Sequence, residues 1–252
     1  MEVLELFDEQ LRRNVVDEDG LYVGDGWSAV LAVPNDVDRA LSRLRELPGH
    51  AEWKLYGHDP PELEGRLRAA GMVPDEEEAV LVAEAASIPP PEVEVTVALT
   101  PELVGAFSEL ADRVFGDPMP GIRKSLLRAL EEDEPSMLAA VVLADGAAVS
   151  GGRIDLPRQG EFAGMFGGVT LPEHRGRGLY RATVAERARL ATDRGFRWLY
   201  VDALPTSRPI LERLGFRQIT TTTPWTWPPA AWAALPSSPP GPRSSVDRAA
   251  VS

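Results

Sequence analysis

Arg175-Gly176-Arg177-Gly178 places two arginines and two glycines in four consecutive positions, inside the stretch PEHRGRGLYRA at 172–182. The turn joins an apolar run to an alanine-rich segment with helical periodicity. A helix N-terminus presents unpaired backbone N–H groups and a partial positive charge. Glycine lets a chain close around an anion with no Cβ in the way, and guanidinium groups add charge and a two-pronged donor geometry. These features together describe a phosphate cradle. A tight strand-to-helix turn that is merely basic would use the same letters, so both readings stand on the turn alone.

Other chemistries are harder to build from this chain. It has no cysteine, which removes disulfides, thiolate catalysis and Cys-ligated zinc. The three histidines, His50, His58 and His174, lack a ligand spacing, so no metal is expected. No apolar run approaches the roughly 18–20 residues of a membrane span. The acidic N-terminus lacks the basic-then-apolar order of a secretory leader, and the expectation is a cytoplasmic protein with no membrane partner. Charge is unevenly spread. Residues 1–87 carry 20 acidic against 8 basic side chains, and 88–252 carry 19 against 18, so nearly all of the net −13 lies in the first third. Such acidity repels phosphate backbones and argues against a nucleic acid partner.

The elements that must position the turn can be read around it. VEVTVAL (93–99) reads as a strand. Pro101–Phe115 reads as a helix, with Thr100 as N-cap and Pro101 at its first position. A second helix is expected at 121–132. Strands at 137–143 and 147–154 flank Asp145-Gly146, a hairpin signal. A strand at 162–171 leads into the turn, and a helix at about 178–194 leaves it. FRWLYVDA (196–203) reads as a strand buried on both faces. A short helix at 207–214 stops at Gly215, and a Thr- and Trp-rich strand region follows at 216–227.

The first third echoes the end of this order. Trp53-Lys54-Leu55-Tyr56 leads through a helix to Gly71-Met72, and Trp198-Leu199-Tyr200 leads through a helix to Gly215-Phe216. Tyrosine to glycine is 15 residues in both. The glycine-rich turn has no counterpart before residue 90. The expected organisation is 1–87, a Pro-rich linker at 88–92, a main domain at 93–232 and a Pro- and Ser-rich tail at 233–252 expected to be disordered. Only one clear strand follows Gly215, so strands are expected to be exchanged between the halves, with Glu78–Ala85 supplying the missing one.

The order of elements, the Arg175–Tyr180 string, the preceding Gly168–His174 stretch and the later LERLGF (211–216) together resemble the GNAT-type N-acetyltransferases over about 92–227. That family carries Gln/Arg-x-x-Gly-x-Gly/Ala on the turn between its fourth strand and third helix. Arg175 and Gly178 fit, while Tyr180 stands where Gly or Ala is usual. The resemblance implies an α/β fold with a mixed central sheet flanked by helices, here as a complete domain preceded by a degenerate GNAT-like half. It implies acetyl-CoA as cosubstrate and transfer of the acetyl group to a primary amine of a small molecule or protein. Arg175, Gly176, Arg177, Gly178, Leu179 and Tyr180 would surround the pyrophosphate. Val169 and Leu171 would offer main-chain contacts to the pantetheine arm, in a gap where the fourth strand splays from the fifth. Gly167 and Gly168 would flatten that groove; a β-bulge is their other reading.

The catalytic assignments are sparser. By resemblance, the Val169 N–H is the candidate oxyanion donor. Leu211 occupies the place of the family's usual tyrosine, the acid for the leaving thiolate, and a leucine cannot donate a proton. That departure opens the alternative of a CoA-binding, non-catalytic module. Asp202, at the end of a buried strand, is a candidate base acting through water or a loop carboxylate. Tyr180 is the one aromatic hydroxyl beside the cradle and a candidate acid. Ser207 reads as an N-cap or a thiolate contact, Glu161 as a solvated strand-end charge, and Tyr200 as core. Asp117 is a turn residue or an attraction for a cationic amine. Trp225 and Trp227 either line an apolar acceptor pocket or pack together on one strand face. Acceptor identity and oligomeric state are not legible in the sequence.

Overall fold

The computed structural model describes residues 2–24, 27–116 and 120–228. Asp117 and the tail expected from 233 lie outside them. Contacts divide the chain into two compact units, Met1–Glu78 with the segment from Thr220, and Ala79–Ile219. The proline run at 88–92 therefore lies inside the second unit.

In the first unit, α1 (Val3–Phe7) runs into a π-helical turn, Asp8–Arg13. Next come β1 (Leu21–Val23), β2 (Trp27–Val30), α2 (Val37–Glu46), β3 (His50–Tyr56), α3 (Glu62–Ala69) and β4 (Val73–Pro74). β1 pairs antiparallel with β2, and β2 pairs parallel with β3. β3 pairs antiparallel with β11 (Arg217–Thr226), the last strand among the described residues. The apolar stripe of α2 (Val37, Ala40, Leu41, Leu44) and Leu63 and Leu67 of α3 meet Trp53, Trp225 and Trp227 in one core. The two C-terminal tryptophans thus pack on one face, the second of the two readings. The Trp227 indole N–H donates to the Ala70 carbonyl at 3.0 Å, and Arg68 lies over the Trp225 ring at 5.0 Å.

The second unit begins with β5 (Glu78–Glu84), then β6 (Thr96–Val97), α4 (Pro101–Phe115), α5 (Pro120–Ala129), β7 (Met137–Ala144), β8 (Ala147–Asp155), β9 (Phe162–Thr170), α6 (Leu179–Asp193), β10 (Trp198–Ala203) and α7 (Arg208–Arg213). Strand order is β5-β10-β9-β8-β7-β6. Only β9–β10 is parallel; the other neighbours are antiparallel. α6 and α7 cover one face through Leu81, Ile154, Met165, Val184, Leu199 and Leu211. α4 and α5 cover part of the other, through Phe107 and Leu126 on Ala139 and Val141. The exchange expected from the sequence is present: β5 precedes the prolines and pairs with β10, while β11 from the C-terminal region pairs with β3.

Local chemistry explains most boundaries. Thr100 accepts from the Leu103 N–H at 3.4 Å, and α4 ends at Gly116 in the left-handed region. Asp145 and Gly146 both take positive φ, 51° and 81°, the mirror-type turn that suits a hairpin. The strand expected at 93–99 shrinks to Thr96–Val97, because only those two residues find ladder partners, on Val141 and Ala140. Ser207 is not an N-cap by its side chain; its hydroxyl donates to the Leu204 carbonyl at 3.2 Å.

Candidate functional site: a cationic turn beside a splayed strand

β9 ends at Thr170, and a single turn of tighter helix over Pro172–His174 carries the chain to Arg175. Gly176 and Gly178 then adopt φ of +72° and +76°. A side chain at Gly178 would meet nothing nearer than an Arg181 nitrogen at 3.5 Å, and one at Gly176 would meet nothing within 4 Å. Backbone conformation, not lack of space, is therefore why glycine stands at both places. α6 starts with Gly178 as N-cap and no capping side chain; its first i→i−4 bond runs from the Ala182 N–H to the Gly178 carbonyl at 3.0 Å. The amides of Gly178, Leu179, Tyr180 and Arg181 precede that bond and find no backbone acceptor among the described residues. They are the orphan donors of a helix start.

These residues line a cleft of about 820 Å³ within the second unit. Its walls are Thr170 and the turn 174–182, Pro89–Glu92, and Ile210 and Arg213 of α7 with Leu214 just after it. The Arg175 Nε donates to the Thr170 carbonyl at 3.3 Å, and an Arg177 Nη donates to the Glu173 carbonyl at 3.2 Å. Arg181 pairs with Glu92 across the cleft at 2.5 Å. The proline run, expected as a spacer, is a stiff wall of the cleft instead.

The strand that feeds the turn is irregular in two ways. β9 has nine residues, yet only Phe162, Ala163 and Gly164 pair with β10, through Trp198, Leu199 and Tyr200. Beyond Gly164 the parallel strands part, so the stretch Met165–Thr170 has no β10 partner. On the other side, Gly151 pairs with Val169 and Arg153 with Phe166, leaving Gly152 opposite both Gly167 and Gly168. That is a β-bulge, with Gly167 at φ +59°. The Leu171 N–H donates to the Val149 carbonyl at 2.9 Å. By antiparallel alternation the Val169 amide faces β8 as well, and the main chain of Thr170 faces the gap. Side-chain packing agrees, since the Ser150 and Thr170 hydroxyls meet at 2.8 Å, as in a non-hydrogen-bonded pair. The gap-facing main-chain groups thus include the Thr170 N–H, which the sequence did not single out, and the Thr170 carbonyl, which accepts from Arg175; the Leu171 N–H and, by alternation, the Val169 N–H face β8.

Tyr180 does not enter the cleft with its hydroxyl. Its ring lies over Gly168, where a Cβ would be 2.7 Å from a ring carbon. Burial raises the phenol's pKa, against the pull of the neighbouring Arg187 guanidinium. Leu211, at the family's tyrosine position, is wholly buried in the α6–α7 core. Asp202 is buried on the face of β10 that carries Trp198 and Tyr200, opposite the Leu199–Val201–Ala203 face packed under α6 and α7. Tyr200 is half-buried rather than core, edge-on to Phe166 at 5.5 Å. Arg153 shares that face and lies over the Phe166 ring at 4.7 Å. Glu161 is a half-exposed strand-end carboxylate, 4.0 Å from Arg197. Leu179, Ser207 and Asp202 are not drawn together: Leu179 lines the cleft, and the other two do not. Among the described residues, no group of three His, Asp or Glu side chains is placed to hold a metal ion, and no helix is long and apolar enough to cross a membrane.

Comparison with family models finds no match, and comparison with curated proteins finds none either. Solved structures do match. A GCN5-related N-acetyltransferase from Kribbella flavida superposes over 90% of this chain and 93% of its own, with a TM-score of 0.62 at 19% identity. The chain has the GNAT fold. A GNAT-family structure from Novosphingobium aromaticivorans matches over 89% of this chain and 95% of its own, at TM-score 0.56 and 19% identity. A tandem GNAT protein of the clavulanic acid biosynthesis pathway matches over 81% and 75%, at TM-score 0.52 and 16% identity. Counted from β6 and α4, β9 is the fourth strand and α6 the third helix, in the order expected from the sequence.

Proposed function

We propose that the protein is an acetyl-CoA-dependent N-acyltransferase acting on a primary amine. The observation that carries this reading is the junction of four orphan amides at the start of α6 with a strand that leaves its parallel neighbour after three residue pairs. The amides and Arg175 and Arg177 suit a diphosphate. The open main-chain edge of β9 suits an amide-bearing arm that adds to it as a strand would. Donors that point at an anion before it arrives cost no reorganisation when charge develops.

The chemistry required is modest. The amine lone pair attacks the thioester carbonyl carbon, the carbonyl oxygen takes the negative charge, and the C–S bond then breaks to leave a thiolate and an amide. The amine must lose a proton and the thiolate must gain one. In this reading the bulge at Gly167–Gly168, where backbone leaves the ladder, meets the carbonyl oxygen in place of the Val169 amide. Asp202, on the sheet face away from α6, takes the amine proton through water. Tyr180 is assigned to packing, because its hydroxyl faces Arg187 and its raised pKa holds the proton. Leu211 leaves α7 without a hydroxyl at the usual place. This favours a second reading, a protein that binds CoA without turning it over.

The first unit supports a degenerate GNAT-like half. Its α2 also connects two parallel strands, but Asp36 caps it, accepting the Arg39 N–H at 3.1 Å. A carboxylate of the chain itself occupies the anion's place. All four residues of β2 pair with β3, so no gap opens there. Calorimetry with acetyl-CoA, followed by a thiol-release assay over a panel of amines, separates the two readings. Binding with turnover supports the enzyme, binding without turnover supports the second reading, and absence of binding removes both.

A further inference from the structure

The β8–β9 bulge is built from three glycines, and two of them, Gly168 and Gly152, lie under large side chains from α6. Gly168 lies under the Tyr180 ring. Gly152, the single β8 residue opposite the bulge, lies under Arg187: a Cβ there would be 2.7 Å from the guanidinium carbon. Tyr180 and Arg187 are seven residues apart, two helical turns, so they project from the same face of α6. Arg187 is only 1% exposed, an unusual place for a guanidinium. Its Nε donates to the Thr183 carbonyl at 2.9 Å, and one Nη donates to the Arg153 carbonyl at 3.2 Å, just where the ladder resumes below the bulge. The other Nη is buried, and the Tyr180 hydroxyl is the guanidinium's remaining polar neighbour.

An arginine at this depth needs a reason, because removing a guanidinium from water is costly and this one is only partly compensated. A methionine or leucine would fill the space under α6 without that cost. What arginine adds is a planar group that lies flat on the Gly152 backbone and a donor for a carbonyl beside the broken ladder. Tyr180 adds the second contact from a residue whose own amide belongs to the cradle. One helix thus touches both sides of the bulge and supplies the anion site.

We propose that Tyr180 and Arg187 are positioning residues that hold the β9 bulge at a fixed offset from the α6 cradle, so that a ligand anchored by its diphosphate presents its acyl carbonyl to the bulge backbone. The catalytic part of this statement rests on the acyltransferase reading; the structural part, that the bulge is braced from α6, does not. It also accounts for tyrosine at 180, where the resemblance leads to Gly or Ala: the ring fills the space above Gly168, which has no side chain to meet it.

The test uses the full chain and two readouts. Backbone amide spectra and hydrogen exchange of Gly167, Gly168 and Val169 report the bulge with no ligand. Acetyl-CoA binding and steady-state kinetics report its use. For Arg187→Met the bulge amides should shift and exchange faster while the Gly178 region keeps its spectrum. The acetyl-CoA Kd should stay within about threefold, and kcat should fall by about 10²-fold, the cost of a misplacement near 1 Å. Arg187→Lys, which keeps a donor, should recover part of kcat. Gly168→Ala should disturb the same amides, and Gly168→Ala with Tyr180→Ala should restore them. Unchanged bulge amides in Arg187→Met, or a double variant no better than Gly168→Ala, would overturn the brace whatever the activity. If wild-type protein neither binds nor turns over acetyl-CoA, the acyltransferase reading fails while the amide spectra still decide the brace. If Arg187→Met does not fold, the Gly168/Tyr180 pair decides it.

Discussion

Gly178→Ala isolates the role of backbone conformation at the cradle. Gly178 sits at φ +76°, and the nearest atom to a new Cβ is an Arg181 nitrogen at 3.5 Å, ordinary contact distance. The substitution therefore adds no clash, and its cost is that of holding an L-residue in the left-handed region, about 1–2 kcal/mol. If the turn keeps its shape, that cost appears as lost stability, a fall of about 2–8 °C in Tm at about 2–4 °C per kcal/mol. If the turn relaxes, the amides lose their aim, and acetyl-CoA binding weakens by about 5–30-fold, the same energy at a factor of ten per 1.4 kcal/mol. Asparagine enters the left-handed region more readily than alanine, so Gly178→Asn should be milder on both readouts. Thermal melts and acetyl-CoA calorimetry on the three proteins measure the partition. An alanine variant with wild-type Tm and wild-type affinity would refute the reasoning, since neither the strain nor the aimed amides would then exist.

Three further outcomes follow from other parts of the molecule. Gly152→Ala should destabilise by about 1–3 kcal/mol through overpacking against Arg187, seen as a lower melting temperature, and Arg187→Ala in the same chain should relieve it. Glu92→Gln removes a carboxylate that faces Arg181 from an exposed position; stability should change by less than about 1 kcal/mol, while acetyl-CoA should bind a few-fold more tightly because a negative group leaves the cleft, as read by calorimetry at low salt. In the first unit, burial of Glu52 pushes its pKa up, but the bonds from His50 at 3.2 Å and Trp27 at 3.1 Å and the charge of Lys54 outweigh it and hold the pKa below 4.5. A lowered folded-state pKa stabilises above the unfolded value and is lost as pH falls through the folded one. Acid titration should therefore show loss of stability below about pH 4.5, and Glu52→Gln should flatten it; an unchanged acid transition in the variant would contradict the assignment.

What was legible in the sequence was what depends on neighbours along the chain. The Arg-Gly-Arg-Gly turn could be read because positive-φ glycines and helix-start amides are local facts. The start of α4 could be placed because Thr100 and Pro101 mark it directly. The strand exchange followed from counting, since one strand after Gly215 could not complete the second sheet and Glu78–Ala85 was free to do so. The misses lie where distant residues decide. VEVTVAL alternates like a strand, but only Thr96–Val97 meets a partner on β7. The prolines at 89–91 look like a spacer until the fold lays them against the turn at 174–182. Which β9 amides face the gap depends on the register with β8, and a bulge of one residue changes it. Arg187 read as one basic residue among seven between 175 and 197, and only the approach of Gly152, 35 positions earlier, shows that it is buried.

The central claim is that the start of α6 holds the diphosphate of acetyl-CoA. Titration of acetyl-CoA into the wild-type chain and into Gly178→Glu tests it most directly, because the glutamate brings both a strained backbone and a negative charge into the cradle. The account predicts saturable binding at one site per wild-type chain and none in the variant. No heat of binding in the wild type, or equal affinity in the two proteins, would contradict it.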